Sequence, residues 1–167
     1  LKATLREALE AVETGREGSA FLVSASMGQG KTRILDLVGT WAHRRGLRVV
    51  TGRCRPHDRP FGGFSAIYEA LRPELPPPAL ADAFDGGEDA RRAERYPVIT
   101  AFRKLLVAAG PTVLLLDDLH HADPATIELL TFLIRNTLET VSSPILFVLG
   151  HANRESPHRT RLSELQP

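Results

Sequence analysis

The sequence predicts an α/β fold in which helices cover both faces of a parallel sheet and form three layers with it. Short apolar segments alternate with longer segments of helical periodicity along the 167 residues. A glycine-rich turn joins the first apolar segment to the helix that follows it. Segments this short and apolar are typical of strands buried on both faces. Right-handed crossovers wind such an order of strands and helices into a parallel sheet.

The composition bounds the classes of function. With 43% apolar and 25% charged residues, we expect one globular unit over residues 1–167. No apolar run approaches the ~20 residues of a membrane helix, so we expect no membrane partner. Cys54 is the only cysteine and cannot form an internal disulfide, which agrees with a cytoplasmic location. The 21 basic and 20 acidic residues nearly cancel, so we expect no direct nucleic acid binding by this segment.

The beginning of the chain predicts two helices and two strands. Apolar residues at helical spacing favour a helix that stops at Gly15. Residues 19–24 are short and apolar and predict the first strand. The second helix starts at Lys31 and ends near Gly46, and residues 47–51 predict the second strand. The apolar positions that define the two helical faces are Leu1, Leu5, Leu9, Val12, Ile34, Leu35, Val38, Trp41 and Ala42.

The middle of the chain is rich in proline, glycine and charge. Within residues 52–95, only the stretch from about 64 to 71 has a helical pattern. The run of prolines at 76–78 and the glycines that follow it predict a surface excursion over residues 74–95.

Regular structure resumes in the last part of the chain. A helical face over residues 98–106 closes at Gly110, and residues 112–117 predict the third strand. Asp123 followed by proline predicts a helix start, because Asp accepts hydrogen bonds from free amides and proline fits the first turn. Residues 144–150 predict the fourth strand.

The turn between the first strand and the second helix has the pattern of a phosphate-binding loop. Its glycines allow successive amides to point at phosphate oxygens, and the Lys31 ammonium reaches the terminal phosphates. The Thr32 hydroxyl is the predicted ligand of Mg²⁺. Ala25 replaces the glycine of the full pattern. If that position needs a positive φ, alanine costs ~1 kcal/mol or somewhat more, which weakens nucleotide affinity without abolishing the loop. The predicted nucleotide-binding residues are Ala25, Ser26, Met27, Gly28, Gln29, Gly30, Lys31, Thr32 and Arg33.

The third strand ends in two adjacent carboxylates, Asp117 and Asp118. In a Walker B arrangement the first carboxylate holds Mg²⁺ opposite Thr32, and the second polarises the attacking water. Asp118 is shorter than the glutamate often found in that second role, so we expect slow hydrolysis. Each carboxylate alone also fits a solvated strand end.

Polar residues at the end of the fourth strand are candidates to sense the γ-phosphate, because ligands of parallel sheets lie at the carboxyl ends of strands. They are His151, Asn153 and Arg154. Arg154 is the best of them, since a guanidinium stabilises negative charge that develops on phosphate. A solvated loop position for Arg154 is an equally weighted alternative.

Three segments together resemble one known family. They are residues 28–33 (Gly-Gln-Gly-Lys-Thr-Arg), the Gly-Arg-Cys of residues 52–54 with the Arg-Pro-Phe-Gly-Gly of 59–63, and residues 116–124 (Leu-Asp-Asp-Leu-His-His-Ala-Asp-Pro). They resemble the ATPase module of the STAND branch of AAA-type P-loop NTPases, most of all that of large ATP-binding LuxR-type bacterial transcription regulators. His121 stands where that family usually has tryptophan. The resemblance implies a three-layer ASCE/AAA-like fold with an incomplete sheet, lacking the fifth strand and the lid.

The resemblance also implies a piece of a larger signalling protein. Its leading function is an ATP- and Mg²⁺-binding switch that hydrolyses ATP slowly and acts on downstream lid and effector domains of the same protein. A homo-oligomer stays open as an alternative. A scaffold that binds nucleotide weakly or not at all is the second function, and Ala25 and His121 favour it. A small-molecule phosphotransferase is the third, with Arg91, Arg92 and Arg95 as a mobile lid.

Overall fold

In the computed structural model, the described residues form a sheet of four parallel strands. The structure describes residues 1–25, 30–86, 94–138 and 144–152. The strands are β1 (Ser19–Ala25), β2 (Arg48–Arg53), β3 (Thr112–Asp117) and β4 (Ile145–Ala152). Their order is β1-β4-β3-β2, and every neighbouring pair is parallel. The predicted α/β fold with a parallel sheet is therefore confirmed.

The burial of each strand follows from its place in this order. All residues of the central strands β3 and β4 are buried, because helices cover both faces of the sheet. β1 lies at one edge of the described sheet, beside β4, and its Phe21 and Leu22 stay partly exposed. β2 lies at the other edge and alternates between buried and exposed positions.

Two helices cover one face of the sheet. They are α1 (Lys2–Glu13) and α2 (Lys31–Arg44). Their apolar faces pack on inward side chains of the strands, such as Val113 and Val148. Gly15 and Gly46 follow the two helices with φ values of +70° and +71°. Because glycine adopts this left-handed conformation without steric cost, both helices end where the sequence predicts.

Four helices cover the opposite face. They are α3 (Ser65–Leu71), α4 (Pro78–Asp85), α5 (Arg95–Ala108) and α6 (Pro124–Leu138). The Asp123 carboxylate accepts a hydrogen bond from the Thr126 amide at 3.0 Å, so the predicted cap of α6 is confirmed. Among the helices of the described residues, none is both long and apolar enough to span a lipid bilayer.

Helix α4 is the main difference from the predicted elements, since it lies inside the predicted surface excursion 74–95. Leu80 and Phe84 of this helix are buried, and the Phe84 ring stacks on Tyr68 with 4.6 Å between ring centroids. The prolines indicated a loop, but proline at the first helical position has the required φ. Residues 87–93 of the excursion lie outside the described part.

Two strands also extend beyond their predicted ends. β2 continues to Arg53 because its pairing with β3 runs as far as Asp117. β4 continues to Ala152 because its pairing with β1 runs to the last residue of β1. Both extensions lengthen the carboxyl edge of the sheet, where the candidate site lies.

Candidate nucleotide site

The candidate site lies at the carboxyl edge of the sheet, at the start of α2. Gly30 precedes the helix in a left-handed conformation, with φ of +80°. A side chain there would be strained, so glycine is required at this position. Lys31 follows it and is buried, with 7% of its surface exposed. The predicted loop residues Ser26, Met27, Gly28 and Gln29 lie outside the described residues, and Ala25 ends β1.

Thr32 and Asp117 lie in direct contact, although 85 positions separate them in the sequence. The Thr32 hydroxyl donates a hydrogen bond to Asp117 Oδ2 at 2.7 Å. Asp117 is buried, with 4% of its surface exposed. A hydroxyl and a carboxylate that converge beside the predicted phosphate loop are the hard oxygen ligands that Mg²⁺ prefers. The donor set therefore fits Mg²⁺, and its role in binding the ion stays a prediction.

The space around the Asp117 carboxylate depends on Gly150 of β4. A Cβ atom at residue 150 would lie only 2.3 Å from Asp117 Oδ1. The same Oδ1 accepts a hydrogen bond from the Asp118 amide at 2.8 Å. Because glycine has no Cβ atom, the Asp117 carboxylate can occupy this volume. The sequence analysis assigned no role to Gly150.

Arg53, at the end of β2, contacts both predicted carboxylates. Its NH2 group lies 3.4 Å from Asp117 Oδ2, and its Nε lies 3.3 Å from Asp118 Oδ2. Asp118 follows β3 with φ of +57°, a left-handed conformation that Asp tolerates better than most residues. Sequence reasoning did not predict Arg53 as a site residue. No local pattern in the sequence marks it, because Arg53 reaches the site through its pairing with Asp117 in the β2–β3 register.

Two main-chain amides of the segment after β2 donate hydrogen bonds to residues at and beyond the end of β3. The Cys54 amide donates to the carbonyl oxygen of Asp117 at 3.0 Å. The Asp123 carboxylate accepts a second hydrogen bond, from the Phe61 amide at 3.2 Å. Phe61 has φ of +62°, so this contact holds a backbone conformation that is costly for a bulky residue. The two acceptors thereby fix residues 54–61 beside the site.

A cleft of about 350 Å³ lies beside Arg53. Arg53, Arg55, Asp58 and Ser65 contribute to its lining. Since Arg53 also contacts Asp117 and Asp118, the cleft and the predicted nucleotide site share one wall.

Cys54 lies within this acidic neighbourhood and is buried. Burial, and to a smaller extent nearby carboxylates, raise the pKa of the Cys54 thiol from 9.0 to about 12. These carboxylates are Asp123, Asp58, Asp118 and Asp117. The thiol is therefore neutral at physiological pH and a poor nucleophile.

We expect Cys54 to make the fold less stable at alkaline pH. Above pH 9.0 the unfolded thiol loses its proton while the native thiol keeps it up to about pH 12. Stability is therefore full below pH 9.0 and falls as pH rises, by up to about 1.4 kcal/mol per pH unit. Urea unfolding at about pH 8 and about pH 10 should show this loss in the wild type and a smaller one in Cys54→Ala. Equal losses in the two proteins would contradict the assignment.

The predicted γ-phosphate sensors are only partly described. His151 lies in β4 and is buried, and the His120 ring meets it edge-on with 6.2 Å between centroids. His120 and His121 lie side by side, with 4.0 Å between ring centroids. Asn153 and Arg154 lie outside the described residues, so the role of Arg154 stays a prediction.

One arginine of the hypothetical phosphotransferase lid has a partner in the structure. Arg95 begins α5, and its NH1 group lies 3.0 Å from Glu128 Oε2 of α6. This contact attaches Arg95 to the helical layer. Arg91 and Arg92 lie outside the described residues.

The chain matches a known protein family and is similar to several solved structures. A family model described as AAA ATPase domain matches residues 2–148. A search of curated proteins found no match. Similar solved structures include three variants of RuvB from Thermotoga maritima, with TM-scores of 0.46. Two are 20% identical and the third is 19% identical, and each match covers 96% of this chain. The chain spans 41% to 42% of the length of those structures.

Proposed function

The chain belongs to the AAA ATPase domain family, and from this premise we propose that it binds ATP with Mg²⁺ and hydrolyses it slowly. The observation that carries the proposal is the hydrogen bond between Thr32 and Asp117. It joins the start of α2 to the end of β3, as a site that holds Mg²⁺ beside phosphates requires. In this proposal the nucleotide state sets the packing of lid and effector domains in a bacterial signalling or transcription regulator.

Each residue of the site has a proposed task. Lys31 and the amides of residues 25–33 bind the phosphates. Thr32 and Asp117 hold Mg²⁺, which when bound neutralises phosphate charge. Asp118 orients a water molecule, and the oxygen of this water forms a bond to the γ-phosphorus. At the same time the bond between the γ-phosphorus and the oxygen that it shares with the β-phosphorus breaks. ADP and inorganic phosphate leave, the water proton passes to solvent, and Arg154 stabilises the charge on the phosphoryl group.

Substitution of Lys31 tests the proposal. We expect Lys31→Ala to bind ATP about 10- to 100-fold more weakly than the wild type, because a charged hydrogen bond to phosphate contributes about 1.5–3 kcal/mol. Calorimetric titration with ATP and Mg²⁺ measures this affinity. Lys104→Ala is the matched control, since Lys104 is exposed on α5 over the opposite face of the sheet. Equal ATP affinity in the three proteins, with unchanged circular dichroism, would contradict the proposed site.

A scaffold without nucleotide is the second candidate, and Arg53 favours it. The Arg53 guanidinium compensates Asp117 and Asp118 within the protein itself, so the acidic pair has a partner without any ligand. Calorimetry that detects neither ATP nor ADP binding to a folded wild type would support the scaffold. Measurable Lys31-dependent binding would exclude it.

A further inference from the structure

A shallow groove of about 180 Å³ lies between α1 and α2, over the face of the sheet opposite α3 to α6. Four residues line it, namely Arg6 of α1 with Trp41, Arg44 and Arg45 at the end of α2. α2 carries the proposed nucleotide residues at its other end. Lys31 and Trp41 are ten positions apart on the helix, or about 15 Å along its axis. The groove is therefore separate from that site.

The groove combines an aromatic wall with guanidinium groups. The Arg6 guanidinium carbon lies 4.5 Å from the centroid of the Trp41 ring. Arg45 is paired with Glu13, whereas Arg6 and Arg44 have no carboxylate partner among the described residues. The dipole at the end of α2 favours basic residues there. It does not account for Arg6, which comes from another helix and lies over the indole ring.

The size and charge of the groove define the ligand. A volume of about 180 Å³ is below the usual ~300–1,000 Å³ of small-molecule pockets and matches one inserted side chain. Since no carboxylate of the described residues pairs with Arg6 or Arg44, their guanidinium groups favour carboxylates beside that side chain. The exposed Glu10 and Glu13 of α1 limit the positive potential, which disfavours a long polyanion such as nucleic acid.

We propose that this groove binds an acidic peptide segment of a partner protein. An aromatic side chain of the peptide packs against Trp41, and its flanking carboxylates pair with Arg6 and Arg44. The interaction surface does not depend on the proposed ATP binding.

Trp41 is the only tryptophan of the sequence, so its fluorescence reports on the groove directly. We expect the peptide acetyl-Glu-Glu-Phe-Glu-Glu-amide to change this fluorescence in a saturable titration of the full chain. The peptide acetyl-Lys-Lys-Phe-Lys-Lys-amide should not do so. Arg44→Gln should weaken the acidic peptide about 5- to 10-fold, whereas the charge-matched control Lys104→Gln should bind as the wild type does. Both substituted residues are exposed, so the variants keep the fold.

Three kinds of result would overturn the proposal. The first is no saturable change with the acidic peptide. The second is a loss of charge dependence, seen as an equal response to the basic peptide or as equal affinity in Arg44→Gln and the wild type. The third is tighter binding of a short oligothymidylate than of the acidic peptide, which would assign the groove to nucleic acid.

Discussion

Asp118→Asn is expected to lower the rate of ATP hydrolysis about 10²- to 10⁴-fold while ATP affinity stays within about threefold of the wild type. A carboxylate that orients and polarises water contributes a factor of this size in other hydrolases. The asparagine keeps the size of the side chain and an oxygen that can accept from Arg53 Nε, now 3.3 Å from Asp118 Oδ2. Phosphate release under single-turnover conditions measures the rate, and calorimetry measures the affinity.

A matched control separates this effect from a general loss of charge. Asp36 is an exposed carboxylate of α2, outside the proposed site, and Asp36→Asn should hydrolyse ATP at the wild-type rate. If Asp118→Asn hydrolysed ATP as fast as the wild type, Asp118 would not be the group that positions water. Lys31-dependent ATP binding would still stand, because it rests on different side chains.

The contact of Arg53 with Asp118 is weak enough to be exchanged for a ligand. Half of the Arg53 side chain is exposed, and Asp118 is also partly exposed. Ion pairs between exposed partners contribute roughly 0–1 kcal/mol, because water and salt screen them. Arg53 can therefore pair with Asp118 in the protein without nucleotide and yield to a cation of higher charge density.

Patterns local in the sequence gave reliable predictions of structure. Periodicity placed α2, and an aspartate followed by proline placed the start of α6. The strand ends also indicated that Thr32 and Asp117 approach each other, because a parallel sheet brings its loops to one edge. Helix α4 was missed since its prolines are compatible with both a loop and a first helical turn.

Contacts that depend on register between distant strands could not be predicted in the same way. Arg53 meets Asp117 because β2 and β3 pair at that residue. A shift of one residue would turn the arginine to the other face of the sheet. The contact of Asp123 with the Phe61 amide likewise spans 62 positions and has no periodic signature. Such contacts follow from tertiary packing, which a single sequence does not display.

Gly150→Ala is expected to disrupt the site most strongly, although it replaces no predicted ligand of Mg²⁺. The added Cβ would lie 2.3 Å from Asp117 Oδ1, and the buried carboxylate must rotate away. That movement breaks its hydrogen bonds with the Asp118 amide and the Thr32 hydroxyl. We expect a loss of about 2–4 kcal/mol in the free energy of unfolding and an ATP affinity with Mg²⁺ that falls about 100-fold.

Gly39→Ala is the matched control for Gly150→Ala, because a Cβ atom at either position would meet a side chain of β3. A Cβ at residue 39 would lie 3.1 Å from Leu115 Cδ1, a methyl group that can move by a few tenths of an ångström. Alanine also favours the helix that contains residue 39, so this variant should be at least as stable as the wild type. Urea unfolding and calorimetric ATP titrations with and without Mg²⁺ distinguish the two variants. If Gly150→Ala kept the wild-type affinity in the presence of Mg²⁺, the position of the Asp117 carboxylate would not determine how the ion is held.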